Sequence, residues 1–138
     1  MGARTPEALE SMVKLALNEY LRYGMTSVLD PGVSPDLMLA YTSLHARGEL
    51  PLRVTAMPVW HGLSFGAVDQ GMPLVVEAGL QPGMGDKHFR FGNLKMAIDG
   101  GLGSKTALMH EPFRDFTRAT VPLRLDTNKL GQYVRDAH

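Results

Sequence analysis

The 138-residue chain contains no cysteine. That absence excludes disulfides, thiolate nucleophiles and Cys-ligated zinc, and it leaves the redox compartment open. No run of about 18 apolar residues occurs, so no bilayer-spanning helix is expected. Net charge is missing too: 14 Lys and Arg balance 14 Asp and Glu, which gives neither nucleic acid nor an anionic membrane an electrostatic foothold. The opening stretch MGARTPEALE has no apolar signal core, and Pro6 stands where a myristoylation signal needs Ser or Thr. The simplest address is the cytoplasm. His45, His61, His88, His110 and His138 form no H-x-H or H-E-x-x-H pair, so a self-contained zinc site is not expected.

What is present is the composition of one folded domain, 44% hydrophobic and 20% charged. Thr5 and Pro6 read as the cap and first turn of a helix. Its stripe, Leu9, Met12, Val13, Ala16, Leu17, Tyr20 and Leu21, recurs at helical spacing up to Gly24. MTSVLD, 25–30, reads as a strand stopped by Pro31 and Gly32. Ser34 and Pro35 open a second helix, with Leu37, Tyr41 and Leu44 on one face and Gly48 at its end. LPLRVTAMPVW, 50–60, supplies the next strand; 68–79 is a candidate helix interrupted early by Gly71 and Pro73. FRFGNLKMAID, 89–99, is a third strand broken by Gly92, and Thr127 onward, with Leu130, Tyr133, Val134 and Ala137, is a last helix. Strands alternating with helices imply an α/β fold of right-handed βα repeats with a parallel sheet.

Within NLKMAIDGG, 93–101, Leu94, Met96 and Ile98 alternate with Lys95, Ala97 and Asp99. An ammonium group inside such a strand costs several kcal/mol if charged and unpaired. Either it pairs with a carboxylate such as Asp99 or Asp30, or its neutral amine takes up carbon dioxide and becomes a carbamate, an anionic oxygen ligand able to bridge two divalent metals. The loop that follows, DGGLGSKT, is not a phosphate-binding loop, because Ser104 and Asp99 stand where glycines are required. It is not a dinucleotide fingerprint either, since Thr106 fills the third glycine position.

YGMTSVLDPG, GELPLRV and LKMAIDGGLGSKTALMHEPFRD, in that order, closely resemble the amidohydrolase family 3 branch of the metal-dependent amidohydrolases, the YtcJ-like and N-substituted formamide deformylase-like proteins. The resemblance runs from about Leu15 to His138 and is most specific at the lysine, the DG after it and GSKTA. It implies a (β/α)8 barrel with one or two divalent metals, zinc or another, at the C-terminal strand ends. The second barrel strand would carry residues 24–30, the third 50–54, and the fourth Lys95, the position that becomes carboxylated. Asp99, Gly100, Gly101, Ser104 and Thr106 would then lie on the active-face loop, with His61 and His110 placed to contact substrate. Asp30 would stand behind the ligands or cap the turn at Pro31 and Gly32.

The same resemblance places the remaining ligands elsewhere. The first-strand His-x-His, the histidines of strands five and six and the aspartate of strand eight have no counterpart in these 138 residues. A complete barrel takes at least about 200 residues, so the expectation is a single partial domain, 1–138, covering strands two to four. Alone it would bind no metal and be silent, although the intact enzyme would hydrolyse amide-like C–N bonds of a small molecule. The alternative is a non-catalytic interaction unit. Two open sheet edges would favour a homo-oligomer, a dimer or strand-exchanged pair, under either reading.

Overall fold

The computed structural model describes residues 5–61, 79–114 and 126–137. In chain order its elements are α1 (Pro6–Arg22), β1 (Ser27–Val33), α2 (Pro35–Ala46), β2 (Arg53–His61), β3 (Phe89–Phe91), β4 (Lys95–Met96) and α3 (Leu130–Ala137). The candidate helix at 68–79 lies outside the described residues except for Gly79, which is in a turn. Among the described residues no helix is long and apolar enough to cross a membrane.

Both N-terminal helices start as their sequences dictate. The Thr5 hydroxyl accepts from the amide of Ala8 at 3.3 Å, and the Ser34 hydroxyl accepts from that of Leu37 at 3.4 Å. Each is followed by a proline in the first turn, where no amide donor is needed. β2 is the central strand. It pairs in parallel with β1 on one side and with both β3 and β4 on the other, so β3 and β4 are two pieces of one interrupted strand.

The interruption has a local cause. Gly92 donates its amide to the Ala56 carbonyl at 2.7 Å, and a side chain there would come within 2.7 Å of Met57 Cγ. The expected strand 89–99 is thus split at Gly92, and it also ends earlier than its apolar pattern suggests, at Met96. Asp99 to Leu108 has already left the sheet.

Pro31 and Gly32 do not stop the preceding strand. β1 continues to Val33, and its pairing slips between Asp30, opposite Ala56, and Val33, opposite Pro58. Three steps on β1 match two on β2, the signature of a bulge. A residue without an amide hydrogen is tolerated at a bulge, and the extra residue returns Val33 to the core, where it is 1% exposed.

The core lies on one face of the sheet. Val54 and Ala56 of β2, Phe89 of β3, Ala40, Tyr41 and Leu44 of α2, and Val13 and Leu17 of α1 form a single buried cluster. The α1 stripe is only half covered, since Met12 and Tyr20 remain 49% and 42% exposed. The covered flank faces α2 and is tied by ion pairs of Lys14 with Glu49 (3.0 Å) and Arg47 with Glu10 (2.6 Å). The other flank is left largely open to solvent.

The far border of the sheet also differs from expectation. Instead of an open edge, β3 carries an antiparallel strap from the residues just before it. Phe91 donates to the Met84 carbonyl at 2.9 Å, Gly83 to the Phe91 carbonyl at 2.8 Å and Asp86 to the Phe89 carbonyl at 2.8 Å. The turn is closed by the Asp86 carboxylate, which accepts from the amides of His88 (2.7 Å) and Phe89 (3.0 Å).

Two outcomes test this packing. Leu44, 0% exposed, leaves a cavity when truncated, so Leu44→Ala should cost about 2–5 kcal/mol in denaturant unfolding. Leu39→Ala, at a site 69% exposed, should stay within about 0.5 kcal/mol. The amides of Phe89 and then His88 hold the Asp86 carboxyl below its usual range. A depressed carboxylate stabilises the fold above its unfolded pKa, and that contribution is lost as pH falls through the folded value. An NMR titration should therefore find the Asp86 midpoint below the ordinary ~3.9, with the His88 and Phe89 amide shifts moving together with it.

Candidate functional site

Alternation along β2 sends Val54, Ala56 and Pro58 toward the helices and Thr55, Met57 and Val59 to the opposite face. Val59 is the register partner of Lys95, so both side chains leave the sheet on the face turned away from α1 and α2. The next pair, His61 with Met96, is reached by two steps on β2 and one on β4. This second bulge, like that of β1, falls at the C-terminal end of the sheet, where bulges re-aim side chains.

Lys95 is half-buried. Among the described residues its ammonium group has no hydrogen bond or ion pair, and both carboxylates offered as partners by the sequence are engaged elsewhere. Asp99 Oδ2 accepts from the Leu108 amide at 2.8 Å. Asp30 points into the helix layer, where its Oδ2 accepts from the Tyr41 hydroxyl at 2.9 Å. It does not cap a turn at Pro31. Burial, then the Asp30 charge and the hydrogen bond to it, push the Tyr41 phenol well above its ordinary value, so Tyr41 stays a donor at any physiological pH.

Asp99 to Leu108 folds as a self-braced loop directly after β4. The Gly101 carbonyl accepts from the amides of Thr106 (3.0 Å) and Ala107 (3.2 Å) and from the Ser104 hydroxyl (3.2 Å). Thr106 Oγ1 accepts from the Gly101 amide at 3.0 Å and lies 2.7 Å from Ser104 Oγ. With Ser104 donating to Gly101, the Thr106 hydroxyl is left to donate to Ser104. Every hydroxyl proton is used within the loop, so these two residues shape it and neither is set up as a nucleophile. Lys105 takes a left-handed conformation, φ 53°, the cost of turning so tightly without glycine.

The other sequence-derived positions are more scattered. His110 is exposed beyond the loop. His61 pairs through its backbone at the end of β2, and its side chain, like those of Trp60 and Tyr133, lies outside the description; His138 does so entirely. Among the described residues no group of three His, Asp or Glu could hold a metal ion. Tyr41 and Asp86 escaped the sequence reading. Asp86 was signalled by an Asp in a Gly-rich turn, whereas nothing local separates Tyr41 from an ordinary stripe residue.

Gly100 is the position on which the loop closes, because a Cβ there would sit 2.3 Å from the Thr106 carbonyl oxygen. At Gly101 the nearest atom is a rotatable hydroxyl at 3.2 Å. Gly100→Ala should abolish amide protection at Thr106 and Ala107 in hydrogen exchange, while Gly101→Ala should largely keep it.

Comparison with known proteins agrees with this geometry. A model of the amidohydrolase family matches residues 1–138. YtcJ of Bacillus subtilis (strain 168), named as an amidohydrolase, is 30% identical over 141 residues, which is 96% of this chain and 24% of that protein. The crystal structure of an uncharacterized metal-dependent hydrolase from Pyrococcus horikoshii OT3 superimposes with a TM-score of 0.79 at 23% identity, covering 97% of this chain and 26% of that one. A second such hydrolase, from Pyrococcus furiosus, gives 0.73 at 20% identity over the same shares. The chain thus spans about a quarter of the length of the relatives it matches. With its parallel βα units matched from end to end, this chain belongs to the amidohydrolase family and carries part of a (β/α)8 barrel.

Proposed function

We propose that these residues supply the fourth-strand ligand of a metal-dependent amidohydrolase that cleaves amide-like C–N bonds in a small molecule. The observation that carries this reading is Lys95: half-buried on the face turned away from α1 and α2, at the C-terminal end of the sheet, with neither candidate carboxylate paired to it. A neutral Lys95 amine would attack carbon dioxide, form an N–C bond and release a proton, leaving a carbamate whose oxygens serve as hard ligands. Lys95 fits one ligand position and no more, since no three-residue metal cluster exists among the described residues. The rest would come from the three quarters of a family-length polypeptide that this chain does not cover. A bound divalent ion would supply Lewis acidity and lower the pKa of its water toward about 7.

The chain's own contribution is placement. The braced loop from Asp99 to Thr106, with Gly100, Gly101 and Ser104 setting its shape, would form one wall of the substrate site, with His61 contributed by the C-terminal end of β2 and His110 by the segment after the loop. Asp30, held by Tyr41 behind the sheet, would stiffen the bulged end of β1. By itself the 138-residue unit would turn over nothing. Self-association as a homo-oligomer would use the outer edge of β1, beside the exposed Leu29.

In the full-length protein grown with 13C-bicarbonate, a carbamate carbon signal should appear with bound divalent metal. Lys95→Ala should lose the signal and most of the metal, and small carboxylic acids should restore metal binding in part. Full metal occupancy in Lys95→Ala would rule out the assigned role.

A further inference from the structure

The border of β3 is closed by the chain itself. Phe89 and Phe91 direct their outward backbone groups at one short segment, Gly83–Asp86, which takes all of them: both carbonyls, the Phe91 amide, and the Phe89 amide through the Asp86 carboxylate. The Arg90 side chain returns over the turn and donates Nε–H to the Asp86 carbonyl at 2.9 Å. On the helix side, His45 Nε2 stands 3.4 Å from Asp86 Oδ2. Nothing on this border of β3 is left to template another strand. Beyond Gly92 the strap ends, and β4 is flanked by β2 alone among the described residues.

We propose that Gly83–Asp86 is a built-in edge guard. It occupies the outer border of β3, so any further strand on this side, from the rest of a barrel or from a second copy of the chain, can join only along β4. The guard depends on Gly85. Its φ is 120°, and a Cβ there would clash with the Phe89 carbonyl oxygen, so no residue with a side chain fits at this point of the strap.

Amide exchange and sedimentation velocity on the full-length protein test this. The Phe91 amide should be protected in the wild type to the same degree at low and high protein concentration. Gly85→Ala should speed its exchange at least ~10-fold, because local opening is then nearly free, and should add concentration-dependent association. Asp86→Ala, which keeps the strap's backbone bonds but removes its closing carboxylate, should do the same more weakly and serves if Gly85→Ala does not fold. Phe91 protection that appears only at high concentration would overturn the proposal. So would unchanged exchange in both variants, or an unlatched, folded variant that gains no association.

Discussion

The register of β2 is the constraint on which everything else rests. Its helix-facing residues, Val54 and Ala56, complete the core with α1 and α2, and its opposite face fixes the direction of Lys95 through the pairing with Val59. A slip of one residue in either pairing would exchange these faces, exposing the core set and driving the lysine under the helices. Core burial and the placement of the candidate ligand are therefore one decision made by the same strand.

Polar groups follow the same division. On the helix side Asp30 is admitted only because Tyr41 donates to it. At the C-terminal end, Gly101, Ser104 and Thr106 satisfy one another and Asp99 takes the Leu108 amide, so the loop after β4 is braced by its own hydrogen bonds. Lys95 is the exception, the one candidate residue of the inner face with no partner among those described.

The two departures at strand ends share a cause. Pro31 and Gly32, and then Gly92, look in the sequence like places where a strand must stop. In the fold they become a bulge and a gap, since a neighbouring strand supplies hydrogen bonds on either side of the irregularity. Local propensity registers the missing amide or side chain but not the neighbour that compensates for it.

How much was legible divides along that line. Helix starts at Thr5 and Ser34, the apolar stripe of α2 and the anomaly of Lys95 follow from local chemistry, which is why the sequence alone determined the parallel βα class and singled out the lysine. The sequence left open whether Asp99 or Asp30 pairs with it, and both carboxylates are engaged elsewhere, because pairing depends on which face of the sheet each residue occupies. That face is set by bulges and register, quantities defined only between strands far apart in the chain. The strap on β3 and the Tyr41 anchor of Asp30 are of the same kind: tertiary structure alone decided them, by bringing together backbone and side-chain groups that no local pattern connects.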